Sequence, residues 1–437
     1  MPPARRGAPE MDAYDQAARW RASVPRLTFI PMIEAGAALL ALLLFSQALI
    51  GPLFADPLDP ETSEGLRLLW PPVYLATLVL IAARPLMTLS LVVKAWPLAV
   101  LVALTMISAA WSIDPEVTAR RALGLIFTTL FAFWFAARFS WRDMIVLIAS
   151  MYVILAFGSF IAGLLFPSFA IHDSIHPGAW KGLWWEKNTL GAMMAWATLA
   201  FVAAAALDTR RRVFWLAMVM PAVALVLLST SRTSLLACML AIAGPLMIAM
   251  ARRSFGHAAF ALTGGGVAVA LAALVLIVGP GVFLEALGRD ATLTGRTDIW
   301  EALLVQIGER PWLGYGYGAY WSDERGPVFW LRQATNWPVP TAHNAWLETA
   351  AAIGIPGAIV ALIVLMQATG RAAMRLFHGR ETYWALTYFA IFTIISVSES
   401  NLLGQNSLGW VLFCATAAKL AGGERALPPG QAGAEAP

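Results

Sequence analysis

Residues 293–318 read LTGRTDIWEALLVQIGERPWLGYGYG and residues 340–348 read PTAHNAWLE, and both interrupt a chain that is otherwise a succession of apolar runs. They belong to one connection, Pro280 to Asn344, rich in Arg, Trp, Tyr and acidic residues. A connection that long carries function or lacks fixed structure, and this one has a pattern. Ile299, Leu303 and Ile307 recur every fourth position, with Asp298, Glu301 and Glu309 elsewhere, which predicts an amphipathic helix over 296–308. It starts near Thr294 or Gly295 and stops at Pro311. The Gly- and Tyr-rich run from Gly314 to Tyr320 reads as tight turns.

Outside this loop the composition decides the class. Apolar residues make up 59% of the chain and charged residues 13%, with a mean hydropathy of +0.69, whereas about a quarter of a soluble domain is charged. The expectation is an all-α integral membrane protein. Cys238 and Cys414 fall in apolar runs, which argues against a disulfide framework or thiolate metal site. The arginines are scattered over loop ends instead of forming a basic face, so nucleic acid is excluded as a partner.

Apolar runs near the roughly 20 residues that cross a bilayer occur at 30–50, 69–83, 96–112, 120–137, 143–166, 188–207, 213–230, 233–251, 257–279, 345–368, 382–398 and 407–421. Twelve spans place both termini on one side. The N-terminal run carries Arg5, Arg6, Arg19, Arg21 and Arg26 without a suitable cleavage site and reads as an uncleaved first span. The larger share of the 30 Lys and Arg residues lies on the side of the termini, which predicts that side to be cytoplasmic. The expected organisation is a cytoplasmic tail (1–29), spans one to nine (30–279), a periplasmic catalytic loop with short helices (280–344), three further spans (345–421) and a second cytoplasmic tail (422–437).

Arg232, in TSRTSLLA between two spans with almost no loop, is costly so near a membrane interior and calls for a partner or a function. Arg296 stands at a helix start, where backbone N–H groups favour an anion and a guanidinium suits phosphate oxygens; the bland reading pairs it with Asp298 or lets it snorkel to headgroups. His343 is of the residue type that serves as general base near neutrality, or else a helix-start histidine bonded to a backbone carbonyl. Asn344, Lys181, Lys187, Asn188, Tyr315 and Tyr317 are the candidate substrate contacts. His172 and His176 have metal-pair spacing, but Pro177 and Gly178 follow at once and no accompanying glutamate pattern is present. Trp180, Trp184 and Trp185 read as an interfacial belt, with sugar stacking as the sharper alternative. The first loop's Asp56, Asp59, Glu61 and Glu64 read as a solvated acidic stretch.

The order STSRTSLLA, LTGRTDIWEALL with ERPWLGYGYG, then TAHNAWLE, on twelve spans with a long late loop, resembles the O-antigen ligase and polymerase superfamily of bacterial envelope glycosyltransferases. The resemblance covers most of residues 170–370. GLWWEKNTLG is similar to a Lys-Asn-x-x-Gly element of the exopolysaccharide polymerase branch, which commonly has His where this chain has Glu186. The resemblance implies transfer of a glycan from undecaprenyl diphosphate to an acceptor hydroxyl at the periplasmic face of the bacterial inner membrane. In that role Arg232 and Arg296 would clamp the diphosphate and His343 would activate the acceptor, with inversion and with no metal or other cofactor. Implied partners are the lipid-linked donor, a glycan or lipid A-core acceptor, membrane lipids and polysaccharide export or chain-length proteins. Lys187-Asn188 leans the reading towards polymerisation. Ligation to lipid A-core is the alternative, and a lipid-linked glycan flippase the alternative of another class, although spans almost free of charge do not suit a midplane transport site.

Overall fold

The computed structural model describes residues 29–54, 64–173, 176–254, 256–259, 263–264, 296–322, 326–335, 339–377 and 379–423. Among the described residues the protein is helical, with one isolated bridge, Ile171 to Trp180, and no strand. In chain order the helices are α1 (Phe29–Phe45), α2 (Ile50–Phe54), α3 (Glu64–Ala82), α4 (Pro85–Lys94), α5 (Trp96–Ile107), α6 (Pro115–Arg138), α7 (Trp141–Leu165), α8 (Pro167–Ala170), α9 (Lys187–Leu207), α10 (Arg212–Leu228), α11 (Arg232–Ala251), α12 (Arg296–Glu309), α13 (Pro327–Thr335), α14 (Ala345–Met374), α15 (Thr382–Ser398) and α16 (Leu408–Gly422).

A helix overlaps each run expected as a span, except 257–279, most of which lies outside the described residues. So do the N-terminal tail, Asp56, Asp59, Glu61, the stretch 280–295 and most of the C-terminal tail. Of the described helices, 6 are long and apolar enough to cross a membrane, or 7 if the bent pair α3 and α4 is one span. That pair turns by 98° at Pro85, whose ring and missing N–H prevent a continuous helix. α1, α15 and α16 are apolar but shorter. These lengths fit a multi-pass membrane protein.

The helix starts obey local chemistry. Asp114 caps α6 by accepting from Val117 N, with Pro115 in the first turn, and Ser140 caps α7 by accepting from Asp143 N. Between helices, cations meet carbonyls and acids. Lys419 Nζ donates to Ala136 O (3.0 Å), Arg252 Nη1 to Gly379 O (3.0 Å), and Arg142 pairs with Asp208 at 2.9 Å.

Two register relationships carry the site. α11 and α15 run antiparallel: Arg252 bonds Gly379, and Gly244 packs against Thr387. Following that register about twelve residues further, about 18 Å at 1.5 Å per residue, brings Arg232 level with Glu399. α9 is likewise antiparallel to α15, with Arg380 Nη1 donating to Ala206 O and Trp196 against Tyr388. The same reckoning sets Lys187 near the level of Ser398.

α14 is broken where Ile353 (φ −129°) and Gly354 (φ 76°) leave helical geometry. Pro356 has no N–H for the Ala352 carbonyl, and Gly316 N takes that role at 2.9 Å. Ile355 N donates to Pro311 O (2.8 Å), and Tyr315 N donates to the Ala351 carbonyl thus left over (2.7 Å). The loop therefore closes the backbone bonds that the break opens, as buried backbone requires.

Candidate functional site

The predicted loop helix forms as α12, with Ile299, Leu303 and Ile307 buried against Val328, Leu331, Val339 and Ala342. One turn after Arg296, Trp300 Nε1 donates to Ala342 O at 2.9 Å. Ala342 N donates to Glu348 Oε1 (2.8 Å), while Asn344 Oδ1 caps α14 by accepting from Trp346 N and Leu347 N (3.1 and 3.2 Å). His343 is thus held between two anchored neighbours, with φ at 48°. A side chain other than glycine in that region is strained, and such strain gathers at functional sites.

The anchoring brings Arg296 and His343 to the same carboxylate. Arg296 Nη2 lies 3.3 Å from Glu399 Oε1, and His343 Nδ1 lies 3.4 Å from Glu399 Oε2. The side chains are 23%, 25% and 30% exposed, so a ligand can reach groups that are already largely withdrawn from water. Glu399, at the C-terminal end of α15, did not stand out in the sequence. A carboxylate in SVSESNLLG, between two apolar spans, is the signal that points to it.

Arg232 is the first residue of α11 and is exposed, level with Glu399 on a helix packed against α15. Lys187, first in α9, donates to Thr230 Oγ1 at 3.3 Å, and Ser234 Oγ reaches Asn188 O at 3.5 Å. Two long helices thus begin side by side, each with a basic residue at its start, an arrangement that attracts anions.

Three expected substrate contacts are engaged within the fold. Tyr315 and Tyr317 are 2% and 8% exposed. Tyr315 Oη donates to Gln306 O (2.8 Å), and Tyr317 Oη to Leu403 O. They hold the loop in place: the Tyr315 ring packs with residues of α12 and α14, and Tyr317 ties the turn to Leu403 and, through its backbone N, to Ser108 Oγ. Burial, followed by Glu309, pushes the Tyr315 hydroxyl up to about 12. Asn344 commits its amide oxygen to the α14 cap. Lys181 lies in the turn with His172, where its backbone N donates to Ala170 O.

The histidine pair of that turn meets edge to face at 5.8 Å, and His172 Nε2 lies 3.9 Å from Glu186. Burial lowers the His172 pKa. Among the described residues no group of three or more His, Cys, Asp or Glu gathers.

Residues 216–362 match the family model described as O-Antigen ligase. That interval contains Arg232, Arg296 and His343, while Lys187 and Glu399 fall outside it. The chain is also 27% identical over 161 residues to the exopolysaccharide production protein ExoQ of Rhizobium meliloti (strain 1021). This alignment covers 35% of the chain and 36% of that relative, so it spans little more than a third of the relative's length.

Proposed function

We propose that this chain, which carries the O-antigen ligase family's domain over residues 216–362, is a periplasm-facing glycosyltransferase of surface polysaccharide synthesis. The observation that carries the reading is the single carboxylate, Glu399, shared by Arg296 and His343. Glu399 on Nδ1 orients the imidazole so that Nε2 takes the proton of an acceptor hydroxyl, as a carboxylate behind a histidine base does. The deprotonated oxygen bonds to the anomeric carbon of a glycan on undecaprenyl diphosphate. The anomeric C–O bond to the diphosphate breaks, and its electron pair leaves with the phosphate oxygen. Attack opposite the leaving group inverts the centre.

Arg296 stabilises the charge growing on the diphosphate. A guanidinium has five N–H donors, so a contact to Glu399 leaves others for phosphate oxygens. Arg232 and Lys187, level with the cluster at two helix starts, supply further positive charge to the carrier. Diphosphate leaves readily, so the transfer draws its energy from the lipid-linked donor and needs no nucleotide.

Polymerisation is the preferred acceptor reading. Lys187-Asn188 and the partial likeness to a protein named for exopolysaccharide production favour it over ligation to lipid A-core. Mass spectrometry of lipid-linked glycans in a deletion strain separates the two. Single repeats that return to long chains only with the native gene, and not with Arg296→Ala, support a polymerase. Accumulated full-length polymer beside bare lipid A-core makes the protein a ligase. Unchanged lipid-linked pools contradict both.

A further inference from the structure

The turn after Glu399 carries polar groups that the chemistry above does not use. α15 ends at Ser398, and the chain doubles back with Asn401 N donating to Glu399 O at 3.1 Å. Ser400 Oγ and Asn401 Nδ2 are buried without a hydrogen-bond partner among the described residues. The other end of the Asn401 amide meets Ser396 Oγ at 2.9 Å, a hydroxyl whose one hydrogen is shared with Phe392 O at 2.6 Å. Turning the amide only exchanges which end meets Ser396 Oγ, so in either orientation one buried amide atom stays unpaired.

A buried polar atom left unpaired costs about 1–3 kcal/mol. Two in consecutive residues ask for a reason, and their position supplies one. At no more than about 3.8 Å of chain per residue, their Cα atoms lie within about 8 Å of that of Glu399, which meets His343 and Arg296. The turn is also fixed from below. Leu402 and Leu403 are buried, Leu403 O accepts from Tyr317, and Asn406 N donates to Thr128 Oγ1 at 2.9 Å. Its backbone is therefore held in place before any ligand arrives.

We propose that Ser400 and Asn401 form the acceptor-sugar subsite, holding the ring whose neighbouring hydroxyl faces His343. The inference deepens the glycosyl-transfer reading and rests on it. The chemistry favours a sugar over a phosphate. A hydroxyl and an amide N–H₂ are neutral groups that match ring hydroxyls, which both donate and accept, whereas the adjacent Glu399 carboxylate repels an anion. Phosphate recognition stays with Arg296, Arg232 and Lys187.

The test uses the purified full-length protein, with the lipid-linked repeat unit from the deletion strain as donor and the free repeat-unit oligosaccharide as acceptor. Unglycosylated undecaprenyl diphosphate measures carrier binding separately. Asn401→Ala should raise the acceptor KM about 10-fold or more, the effect of one lost sugar hydrogen bond of ordinary strength, with carrier affinity within about twofold. Ser400→Ala removes no hydrogen bond of the fold, so it keeps the test open if Asn401→Ala folds poorly; it should raise the same KM by a smaller factor. An acceptor KM unchanged in both variants, or a matching loss of carrier affinity, overturns the subsite while leaving the transferase intact. A native protein that binds the carrier but transfers nothing overturns the transferase reading, and the subsite falls with it.

Discussion

Arg296 and Glu399 stand 103 positions apart in the chain and meet at 3.3 Å. The loop helix α12 brings one and the end of α15 the other, and His343 closes on the second oxygen of the same carboxylate. The loop therefore supplies two of the three side chains of this cluster. Replacing Arg296 with Ala should lower the transfer rate by about 100- to 1,000-fold, the range for losing one donor to a developing negative charge. Arg296→Lys should recover only part of this, since a point charge does not reproduce the planar fork. Initial rates at saturating donor and acceptor report both.

Glu399→Gln keeps the shape and removes the charge that orients His343. Loss of transfer on the order of 100-fold or more is expected, following the precedent of a carboxylate behind a histidine base. Thermal stability should change little, because the three side chains are partly exposed and such ion pairs contribute about 0–1 kcal/mol. Rates and unfolding temperatures measured on the same preparation separate the two effects.

Gly354 should be indispensable to the fold. Its φ of 76° disfavours any side chain, and a Cβ there would collide with the Trp312 carbonyl, which is backbone and cannot move aside. Gly354→Ala should cost more than about 2 kcal/mol and free the Gly314–Gly318 loop from α14. Gly370→Ala is the control, since a Cβ there meets nothing within 4 Å. Thermal unfolding in detergent compares them.

Alkali should loosen the same junction. The Tyr315 hydroxyl is raised from its ordinary 10.0 to about 12 by burial and by Glu309, so the fold favours its protonated form. The stability this contributes is complete below pH 10 and is lost as pH rises through about 12. Tyr315→Phe lacks this titration. It should be less stable than native by about 1 kcal/mol at neutral pH, for the bond to Gln306, and should gain on native protein as pH climbs from 10. A constant gap between the two denaturation curves across that range would contradict the assignment.

The sequence makes the bundle legible because hydrophobic periodicity is local. The spacing of Ile299, Leu303 and Ile307 announces α12, and the apolar runs announce the membrane helices. Chain crossings are less legible. Pro85 opens α4, bent by 98° from α3, within what reads as a connection between the runs 69–83 and 96–112, and Gly354 breaks α14 where the apolar run continues without interruption. The site is only half visible for the same reason. His343 and Arg296 sit in recognisable motifs, but Glu399 enters from a helix whose register against α11 no local pattern reveals. Tyr315 and Tyr317 look like ligand contacts in a Gly-rich turn, yet the broken α14 draws that turn inward and buries them.

The central claim is that Glu399 acts through His343, and a double-mutant cycle on transfer rate tests it directly. In the His343→Ala background, Glu399→Gln should reduce the rate by no more than about threefold, because residues that act as a unit are strongly non-additive. A further loss as large as that seen in the native background would contradict the account.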